Sequence, residues 1–451
     1  MALSGIQIFK YLPKTNCGKC KFPTCLAFAM KLAAKQASLD DCPDASNEAK
    51  EILGAASEPP IRLIKIGTGE DLYKVGEEAV MFRHEKTFYN PCGFSRMIKD
   101  TDSTDNIKLI ISNLNDFVYE RVGQHLKVDI IYIKNESGDK DKFVNTVKLV
   151  QAGIKRPLIL DSSNIDNLKA ALDICADKKP LIYAANEDNY ETMTALAKEK
   201  GCSLVVTSIQ GGLEALSVLT EKITGLGFKD IVLDPASKSL SSLVQELTQI
   251  RRAAIKKSFK PLGFPVIIFS GRYSDGDRLL EANISAIGVS KYASIIVMND
   301  TSREIMIPLF AMRQNIYTDP QKPMQVEEKI YKIGEANEDS PVLITTNFSL
   351  TYFIVAGEVE NSKVPSWLVV ANVEGLSVLT AWAAGKFTPE KITKLVKESG
   401  IESMVKHRKL IIPGYVAVLS GGIESKLPDW KIQVGPREAS GIINFLKNYA
   451  A

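Results

Sequence analysis

The sequence predicts an α/β protein of several domains: a small cysteine-rich N-terminal domain, a central (β/α)8 TIM barrel and a C-terminal open α/β domain of the Rossmann or flavodoxin kind. Three observations support this prediction. Four of the seven cysteines fall within the first 42 residues, apolar β-favouring runs alternate with helical segments through the middle of the chain, and the alternation resumes after a proline-bearing stretch near residue 320. A chain of 451 residues has room for two to four domains.

The composition is that of an ordinary globular protein. Hydrophobic residues make up 45% and charged residues 24% of the chain, and the formal net charge of +3 is too small to suggest nucleic-acid binding. No apolar run approaches the roughly 18 to 20 residues that cross a bilayer. The N-terminus lacks the basic start and apolar core of a signal peptide. We therefore expect a cytoplasmic protein that binds neither nucleic acid nor membranes.

The N-terminal cysteines have the spacing C-x2-C-x4-C-x16-C. Cys17, Cys20 and Cys25 lie in one short loop, and Cys42 follows a stretch, residues 26–39, that is typical of an amphipathic helix. Four thiolates satisfy a cubane cluster, and short gaps let one loop reach three of its corners. We expect these four cysteines to bind a [4Fe–4S] cluster. The alternatives are a structural zinc ion, which favours two matched cysteine pairs, and free thiols.

The other three cysteines, Cys92, Cys175 and Cys202, are scattered along the chain. Free cysteine behaves as a small apolar residue when it is buried. We predict structural roles for all three, with Cys175 and Cys202 buried and Cys92 in a loop.

Glycines, prolines and polar stretches between the regular segments predict the domain boundaries. We expect the cluster domain at residues 1–57, a linker and lead-in to the barrel at 58–105, the barrel at 106–318, a second linker at 319–330 and the last domain at 331–451.

Eight short apolar runs predict parallel strands that are buried on both faces of a sheet. These runs span residues 108–112, 128–133, 157–161, 180–184, 203–207, 230–234, 266–270 and 294–298. Eight strand–helix units in about 200 residues fit a (β/α)8 barrel. An open, doubly wound sheet is the alternative.

Polar residues follow several of these strands, where the functional residues of a barrel normally lie. They are Asp161, Ser162, Ser163, Asn186, Glu187, Asp188, Gln210, Gly211, Gly212, Asp234, Pro235, Asn299 and Asp300. Residues of these types also cap helices, and no histidine or carboxylate pair stands out among them. We favour capping roles for most of them, so that the barrel predicts a fold and not a reaction.

The last domain has fewer strand–helix units, with strands predicted at residues 342–346, 367–371, 409–412, 417–419 and 430–434. Ligands in open α/β sheets bind beyond the carboxyl ends of the strands. These ends are rich in Gly, Ser, Thr and Asn, which offer hydroxyl and backbone N–H groups to a ligand. Neither a GxGxxG nor a Walker sequence is present. We predict a cofactor pocket here, although the same residues also suit helix caps.

The full chain resembles the large, or gamma, subunits of the corrinoid/iron–sulfur proteins of the reductive acetyl-CoA (Wood–Ljungdahl) pathway of anaerobes. The cysteine motif and the stretch EGLSVLTAWAAGK at residues 374–386 are its most specific parts. The resemblance implies a methyltransferase component that carries methyl groups on the cobalt of a cobamide. The cobalt accepts a methyl group from methyltetrahydrofolate through a methyltransferase and donates it to acetyl-CoA synthase. The [4Fe–4S] cluster reactivates Co(II) to Co(I).

The resemblance also implies the partners of the chain. They are a small subunit that completes a heterodimer, a methyltetrahydrofolate:corrinoid methyltransferase, acetyl-CoA synthase/CO dehydrogenase and a reductive activator. An iron–sulfur electron-transfer subunit and a pterin-dependent methyltransferase barrel are the alternative functions.

The resemblance assigns the corrinoid to the strand ends of the last domain. The expected contacts are Thr345, Thr346, Asn347, Thr351 and Tyr352, then Val370, Ala371, Asn372, Val373, Gly375, Ser377, Val378, Leu379 and Thr380, then Gly414, Ser420 and Gly421, and finally Gly435, Pro436, Arg437 and Glu438. Hydroxyls would bond the amide arms of the corrin ring, and small residues would let the ring approach the backbone.

The histidines bear on the lower ligand of the cobalt. Many cobalamin proteins supply it from a D-x-H-x-x-G motif, and neither His84, His125 nor His407 lies in one. We expect a cobalt without a histidine ligand, which is easier to reduce to Co(I), and we expect His407 to be a solvated surface residue.

Overall fold

The computed structural model describes residues 5–20, 22–33, 37, 39–46, 49, 59–320 and 323–449. The chain divides into two compact units, one formed by residues 1–118 and 127–317 and the other by residues 119–126 and 318–451. Residues 51–58, at the boundary between the predicted cluster domain and the first predicted linker, lie outside the described residues, as do Gln321 and Lys322 of the second linker.

Helices and strands are numbered here in chain order over the described residues. The helices are α1 (Gly5–Phe9), α2 (Cys25–Ala33), α3 (Thr104–Asp116), α4 (Lys140–Gly153), α5 (Ile165–Cys175), α6 (Tyr190–Lys200), α7 (Leu213–Gly225), α8 (Leu240–Lys256), α9 (Arg278–Ser290), α10 (Arg303–Tyr317), α11 (Ser349–Ser362), α12 (Val378–Ala383), α13 (Pro389–Glu398), α14 (Ile401–Met404), α15 (Ser420–Lys426) and α16 (Ile442–Tyr449). The strands are β1 (Ile64–Ile66), β2 (Tyr73–Val75), β3 (Gly93–Lys99), β4 (Tyr119–Arg121), β5 (Gln124–Leu126), β6 (Ile130–Lys134), β7 (Leu158–Asp161), β8 (Leu181–Ala185), β9 (Ser203–Thr207), β10 (Ile231–Asp234), β11 (Ile267–Phe269), β12 (Ile295–Met298), β13 (Ile330–Ile333), β14 (Val342–Thr346), β15 (Ser366–Ala371), β16 (Lys409–Ile412) and β17 (Lys431–Val434). No helix in the described part of the chain is long and apolar enough to cross a bilayer.

In the N-terminal region, α1 and α2 pack together around Ile8 and Phe28, with Cys25 and Cys42 buried beside them. The helix predicted to reach residue 39 ends at Ala33 among the described residues. A short 3-10 turn follows at Leu39–Asp41 and leads into Cys42.

The barrel has eight parallel strands in the order β10-β9-β8-β7-β6-β3-β12-β11. A parallel bridge between Leu233 and Val266 joins the two edge strands, so the predicted barrel is confirmed and the open-sheet alternative is not formed. Apolar side chains such as Ile130 and Val232 fill its interior. The hairpin β1–β2 packs against the amino end of this core, where Gly67 N donates to Lys179 O just before β8.

One predicted barrel strand is wrong. Residues 108–112 lie in α3, in which Ile107, Ile111 and Leu114 are buried at helical spacing while Leu109 is exposed. The first strand of the barrel is instead β3, which carries Ser95 and Arg96 in a sequence without a continuous apolar run. The other seven predicted strands match β6 to β12.

The second unit is built on a sheet of order β13-β15-β14-β16-β17, in which β13 is antiparallel and the other pairs are parallel. Helices α12, α13 and α15 cover one face and α11 and α16 cover the other. The strand predicted at residues 417–419 is wrong, because these residues belong to a 3-10 helix at Gly414–Leu419. The edge strand β13 was not predicted.

The hairpin β4–β5, which lies within the predicted barrel segment, belongs to this second unit. Val122 at its turn is buried in a cluster with Val326, Leu343 and Leu368. The second unit therefore takes one element from a part of the sequence that precedes most of the barrel.

Candidate cofactor sites

The four N-terminal cysteines lie close together. Cys17 is exposed, Cys20 is half-buried, and Cys25 and Cys42 are buried. Burial raises the pKa of the Cys42 thiol, and repulsion from Cys20, Cys17 and Cys25 adds to this effect. The fold therefore brings the predicted thiols within electrostatic reach of one another.

The loop that carries these cysteines is held by short polar contacts. Asn16, at φ +48°, accepts a hydrogen bond from Cys25 N at 2.8 Å, and Thr24 accepts from Ala27 N at the start of α2. Lys19 pairs with Asp44 at 3.0 Å across the two cysteine segments. Both groups of that pair are exposed, so it orients the segments more than it stabilises them.

Within the described ranges, no three His, Cys, Asp or Glu side chains are grouped tightly enough to hold one metal ion. Four thiols, two of them buried, supply the kind of donor that an iron–sulfur cluster takes. Of the remaining cysteines, Cys175 and Cys202 are buried as predicted, and burial raises their pKa to about 12 and about 11. Cys92 is also buried, directly before β3.

In the second unit, the central strand β14 ends in two threonines that are fully buried. Neither the Thr345 hydroxyl nor the Thr346 hydroxyl has a hydrogen-bond partner in the protein. Buried hydroxyls are normally bonded, because an unpaired one costs free energy relative to water. Because neighbouring strand residues point to opposite faces, the two oxygen atoms lie on the two sides of the sheet, and a polar ligand that completes both must lie over the carboxyl end of β14.

Asn347 follows them and organises the neighbouring loop. Its Oδ1 accepts from Val373 N and Gly375 N, both at 3.0 Å, and its Nδ2 donates to Gln325 and Asn372. Asn347, one of the predicted contacts, is therefore buried, and its hydrogen bonds fix the loop after β15.

The loop after β15 makes a tight left-handed turn, with Glu374 at φ +60° and Gly375 at φ +74°. A Cβ at Gly375 would lie 2.7 Å from Gln325 Cγ, which explains the glycine. The turn leads to Ser377, whose hydroxyl lies 2.9 Å from the Thr380 hydroxyl at the start of α12. Val378 is half-buried, whereas Leu379 and Thr380 are exposed.

Gly414, Gly435 and Pro436 meet at the third and fourth strand ends. A Cβ on Gly414 would lie 2.6 Å from Gly435 O, and Gly414 N donates to Pro436 O at 3.0 Å. The missing side chain at Gly414 therefore lets two backbone segments pack together. It does not open space for a corrin ring. Other predicted residues of these groups are more accessible: Gly421, Arg437 and Glu438 are exposed and Ser420 is half-buried.

Three predicted contacts, Val370, Ala371 and Val373, are core residues, and Tyr352 packs against the core. Val370 and Ala371 are fully buried on opposite faces of β15. Tyr352 packs against Tyr331 with ring centroids 4.7 Å apart, and burial raises the pKa of its hydroxyl to about 12. Thr351 beside it is half-buried.

The prediction missed large apolar side chains that are exposed after the same strand ends. They are Leu350, Phe353 and Ile354 on α11, Trp382 on α12 and Val418 in the 3-10 turn, and α12 packs against that turn. Exposed apolar groups mark a ligand or partner surface where they adjoin one another, and Leu350, Phe353 and Ile354 share one side of α11 at helical spacing. The sequence could have indicated them, because several apolar residues follow one another at the start of α11 and leave its first turns without a polar side.

His407 lies at the opposite end of the sheet from these residues. Its Nε2 lies 2.9 Å from the carbonyl of Ser340, which precedes β14, and its Nδ1 accepts from Lys409 N at the start of β16. His407 is half-buried with both ring nitrogens engaged, so it is only partly the solvated surface residue that was predicted. The other two histidines lie elsewhere: His84 stacks on Phe82, and His125 is exposed in β5.

Residues after the barrel strands divide into two groups. Asn186 and Asp300 accept from backbone N–H groups two residues on, and Gly212 precedes α7, so these residues shape turns and helix starts as predicted. Asp161 and Asn299 instead line a cavity at the carboxyl end of the barrel, and Asp234 bonds to an arginine of its wall.

The fold and these sites together define a barrel protein with an N-terminal four-cysteine region and an α/β domain. An Fe-S cluster family model matches residues 12–43, and the model for the CO dehydrogenase/acetyl-CoA synthase delta subunit matches residues 63–446. The chain is 46% identical to a corrinoid/iron–sulfur protein large subunit of Moorella thermoacetica, over 99% of both chains. It is 35% identical to an acetyl-CoA decarbonylase/synthase complex gamma subunit of Methanothermobacter thermautotrophicus, over 100% of both. The chain therefore belongs to the family of corrinoid/iron–sulfur protein large subunits of the acetyl-CoA pathway.

Proposed function

We propose that this chain is a corrinoid methyl carrier, whose second unit binds a cobamide beyond the carboxyl ends of its strands. The observation that carries this proposal is the pair of buried, unpartnered hydroxyls of Thr345 and Thr346. A ligand with amide groups would supply the missing partners and recover their desolvation cost. The name of the Moorella relative, a corrinoid/iron–sulfur protein, indicates which ligand this is.

Different residues of the second unit have different roles in binding the cobamide. Thr345 and Thr346 hydrogen-bond polar arms of the ligand, and Asn347 keeps the loop after β15 in place through its bonds to Val373 and Gly375. Exposed apolar side chains such as Trp382 and Val418 cover apolar parts of the ring and exclude water. When bound, the cobamide supplies a cobalt that accepts a methyl group from methyltetrahydrofolate through a methyltransferase and donates it to acetyl-CoA synthase.

The proposed cobalt has no histidine ligand from this chain. His407 lies at the amino end of the sheet with both ring nitrogens engaged, and His125, on the hairpin β4–β5 of the same unit, lies outside a D-x-H-x-x-G motif. Without a strong donor below the ring, Co(I) is easier to reach, because the axial ligand is a main control of a metal's potential.

The N-terminal cysteines hold the [4Fe–4S] cluster in this proposal. Cys17, Cys20, Cys25 and Cys42 each supply one thiolate, and the Lys19–Asp44 pair keeps the two cysteine segments together. When bound, the cluster supplies the electron that returns Co(II) to Co(I) after accidental oxidation.

The relatives' names also support the proposed partners. The Moorella relative is a large subunit, which implies a small subunit, and archaeal relatives belong to acetyl-CoA decarbonylase/synthase complexes. We place the chain in a cytoplasmic heterodimer that works with a methyltransferase, acetyl-CoA synthase/CO dehydrogenase and a reductive activator.

The test is the visible spectrum of anaerobically purified protein together with a Cys20→Ala variant. We expect corrinoid absorption beside cluster absorption. The variant should transfer methyl groups from pre-reduced Co(I) but lose electron-driven reactivation, whereas Cys202→Ala, at a buried cysteine outside the motif, should keep both activities.

A spectrum of cluster alone would refute the corrinoid proposal and favour an electron-transfer subunit. If Cys20→Ala binds corrinoid normally but fails to transfer methyl groups from pre-reduced cobalt, the proposed role of the cluster is wrong. If the spectrum shows no corrinoid, tight binding of methyl-pterin by this chain alone would favour the methyltransferase alternative.

A further inference from the structure

The carboxyl end of the barrel holds a cavity of about 220 Å³ that the proposed carrier function does not use. Its wall is formed by Met97, Tyr132, Lys134, Asp161, Tyr183, Phe269, Gly271, Arg272, Val297 and Asn299. This end of a TIM barrel is where ligands bind when the barrel binds any. The volume is below the usual range of roughly 300 to 1,000 Å³ for drug-sized ligands, so it suits a molecule of one or two rings.

Aromatic side chains form one side of the cavity. Tyr132, Tyr183 and Phe269 meet pairwise edge to face, with ring centroids 5.2 to 5.8 Å apart. With Met97 and Val297 they give the cavity an apolar surface that favours an aromatic ligand.

The polar groups of the wall are held in place by neighbours. Tyr132 donates to Asp161 Oδ2 at 2.6 Å, which leaves Oδ1 without a bond to another side chain. Arg272 is fixed by Asp234 at 2.9 Å and by the Tyr183 hydroxyl at 2.7 Å, and its guanidinium lies 3.9 Å from the centre of the Phe269 ring. Such support for polar side chains is typical of a binding site and is not needed for a filled barrel core.

Asn299 is positioned by a separate set of contacts. Buried Glu281 accepts from Asn299 N at 2.7 Å and from Asp300 N at 3.2 Å, which fixes the loop after β12. Gly271 makes room for the Asn299 amide, because a Cβ there would lie 2.0 Å from its Nδ2. The amide thus reaches the cavity only because residue 271 has no side chain.

The charges around the cavity cancel. Arg272 pairs with Asp234 at 2.9 Å and Lys134 with Glu136 at 3.3 Å, and burial raises the pKa of Asp161, which disfavours the charged form of that carboxyl. A ligand with a net charge would leave one of these groups without compensation, at a cost in desolvation.

We propose that the barrel mouth binds a small, uncharged nitrogen heterocycle of one or two rings. An N–H of the ring donates to Asp161, ring nitrogens or carbonyls accept from Arg272, Lys134 or the Asn299 amide, and the ring packs against the aromatic side chains. The proposal is independent of the corrinoid proposal, because every residue it uses belongs to the first unit.

The test is isothermal titration of the full-length, anaerobically purified protein with hypoxanthine, benzoate and benzamidine. These probes are an uncharged heterocycle, an anionic ring and a cationic ring. We expect hypoxanthine to bind with a dissociation constant below about 1 mM and the two charged rings to bind at least about tenfold more weakly.

Two variants locate the binding. Asp161→Asn keeps an acceptor for Tyr132 but loses the carboxylate, and should weaken hypoxanthine about tenfold. Gly271→Ala should displace the Asn299 amide and weaken the binding of hypoxanthine by a similar factor. The matched controls are Asp141→Asn, on the exposed side of α4, and Gly225→Ala, whose Cβ would meet no atom within 4 Å, and they should leave the affinity unchanged.

The proposal is overturned by any of three results. Hypoxanthine fails to bind at about 10 mM, a charged ring binds as tightly as hypoxanthine, or both site variants leave its affinity within about twofold of the wild type. None of these results would alter the corrinoid spectrum, so failure here is distinguishable from failure of the carrier proposal.

Discussion

At the scale of single residues, the most informative atoms are the hydroxyl oxygens of Thr345 and Thr346. In corrinoid-free protein these buried oxygens have no partner, so replacing each threonine with valine should raise the free energy of unfolding by about 1 kcal/mol. The same replacement should weaken corrinoid binding about tenfold for each lost hydrogen bond. Chemical denaturation of the corrinoid-free protein and corrinoid retention after dilution measure the two effects.

Thr194→Val is the matched control for this prediction. The Thr194 hydroxyl on α6 is also buried without a partner, but it lies in the first unit. The control should be stabilised in the same way and keep its corrinoid affinity. Equal corrinoid affinity in Thr345→Val, Thr346→Val and Thr194→Val would show that the two hydroxyls do not contact the ligand.

The sequence predicted the location of these residues better than their individual roles. The rule that ligands bind beyond strand ends selected Thr345 and Thr346, which are buried, and their contact with a ligand stays a prediction. The same rule selected Tyr352, which packs on Tyr331, and Gly414, which serves backbone packing. Position in the sequence indicates the end of a strand, but which way a helix turns a side chain depends on contacts with residues far along the chain.

At the scale of elements, the hairpin β4–β5 joins the second unit through its turn. Val122 has φ +53°, which is unfavourable for a β-branched residue, and its side chain is buried in the apolar cluster with Leu343 and Leu368. Burial of the side chain offsets the backbone strain of about 1 to 2 kcal/mol.

We therefore predict that Val122→Asn destabilises the second unit although asparagine tolerates this backbone conformation better. The lost burial and the buried amide should lower the unit's free energy of unfolding by about 1 to 3 kcal/mol. Hydrogen exchange should become faster in β14 and β15 and stay unchanged in β7 and β8. Val118→Asn, at an exposed position before the hairpin, is the control, and equal exchange in both variants would contradict the role given to Val122.

Elements of the barrel show why strand prediction failed at one place. Seven strands were found because each is a continuous apolar run, as expected for strands buried on both faces. In β3, the buried Ser95 and the neighbouring Arg96 interrupt the run. The apolar run at 108–112 has the 3.6-residue period of α3, since Ile107, Ile111 and Leu114 share its buried side, but five residues are too few to reveal that period.

At the scale of the whole molecule, the order of the domains was readable from the sequence and the division into units was not. Alternating strands and helices indicate a barrel because each strand–helix repeat forms similar local contacts at a similar spacing along the chain. The assignment of residues 119–126 to the second unit depends on Val122 meeting residues beyond position 320, which no local pattern reports.

The N-terminal region should depend on iron in a way that the rest of the chain does not. Its core is small and contains Ile8, Leu12, Phe28 and Ala29 together with Cys25 and Cys42. Regions of about 40 residues rarely fold without a metal or a cross-link. Removal of iron with a chelator should therefore expose the amides of α1 and α2 to rapid hydrogen exchange. The strands β6 to β9 should keep their protection, and reconstitution with iron and sulfide should restore that of α2. If α2 exchanges equally slowly with and without iron, its packing alone holds the region together, and the cysteines contribute electron transfer without contributing stability.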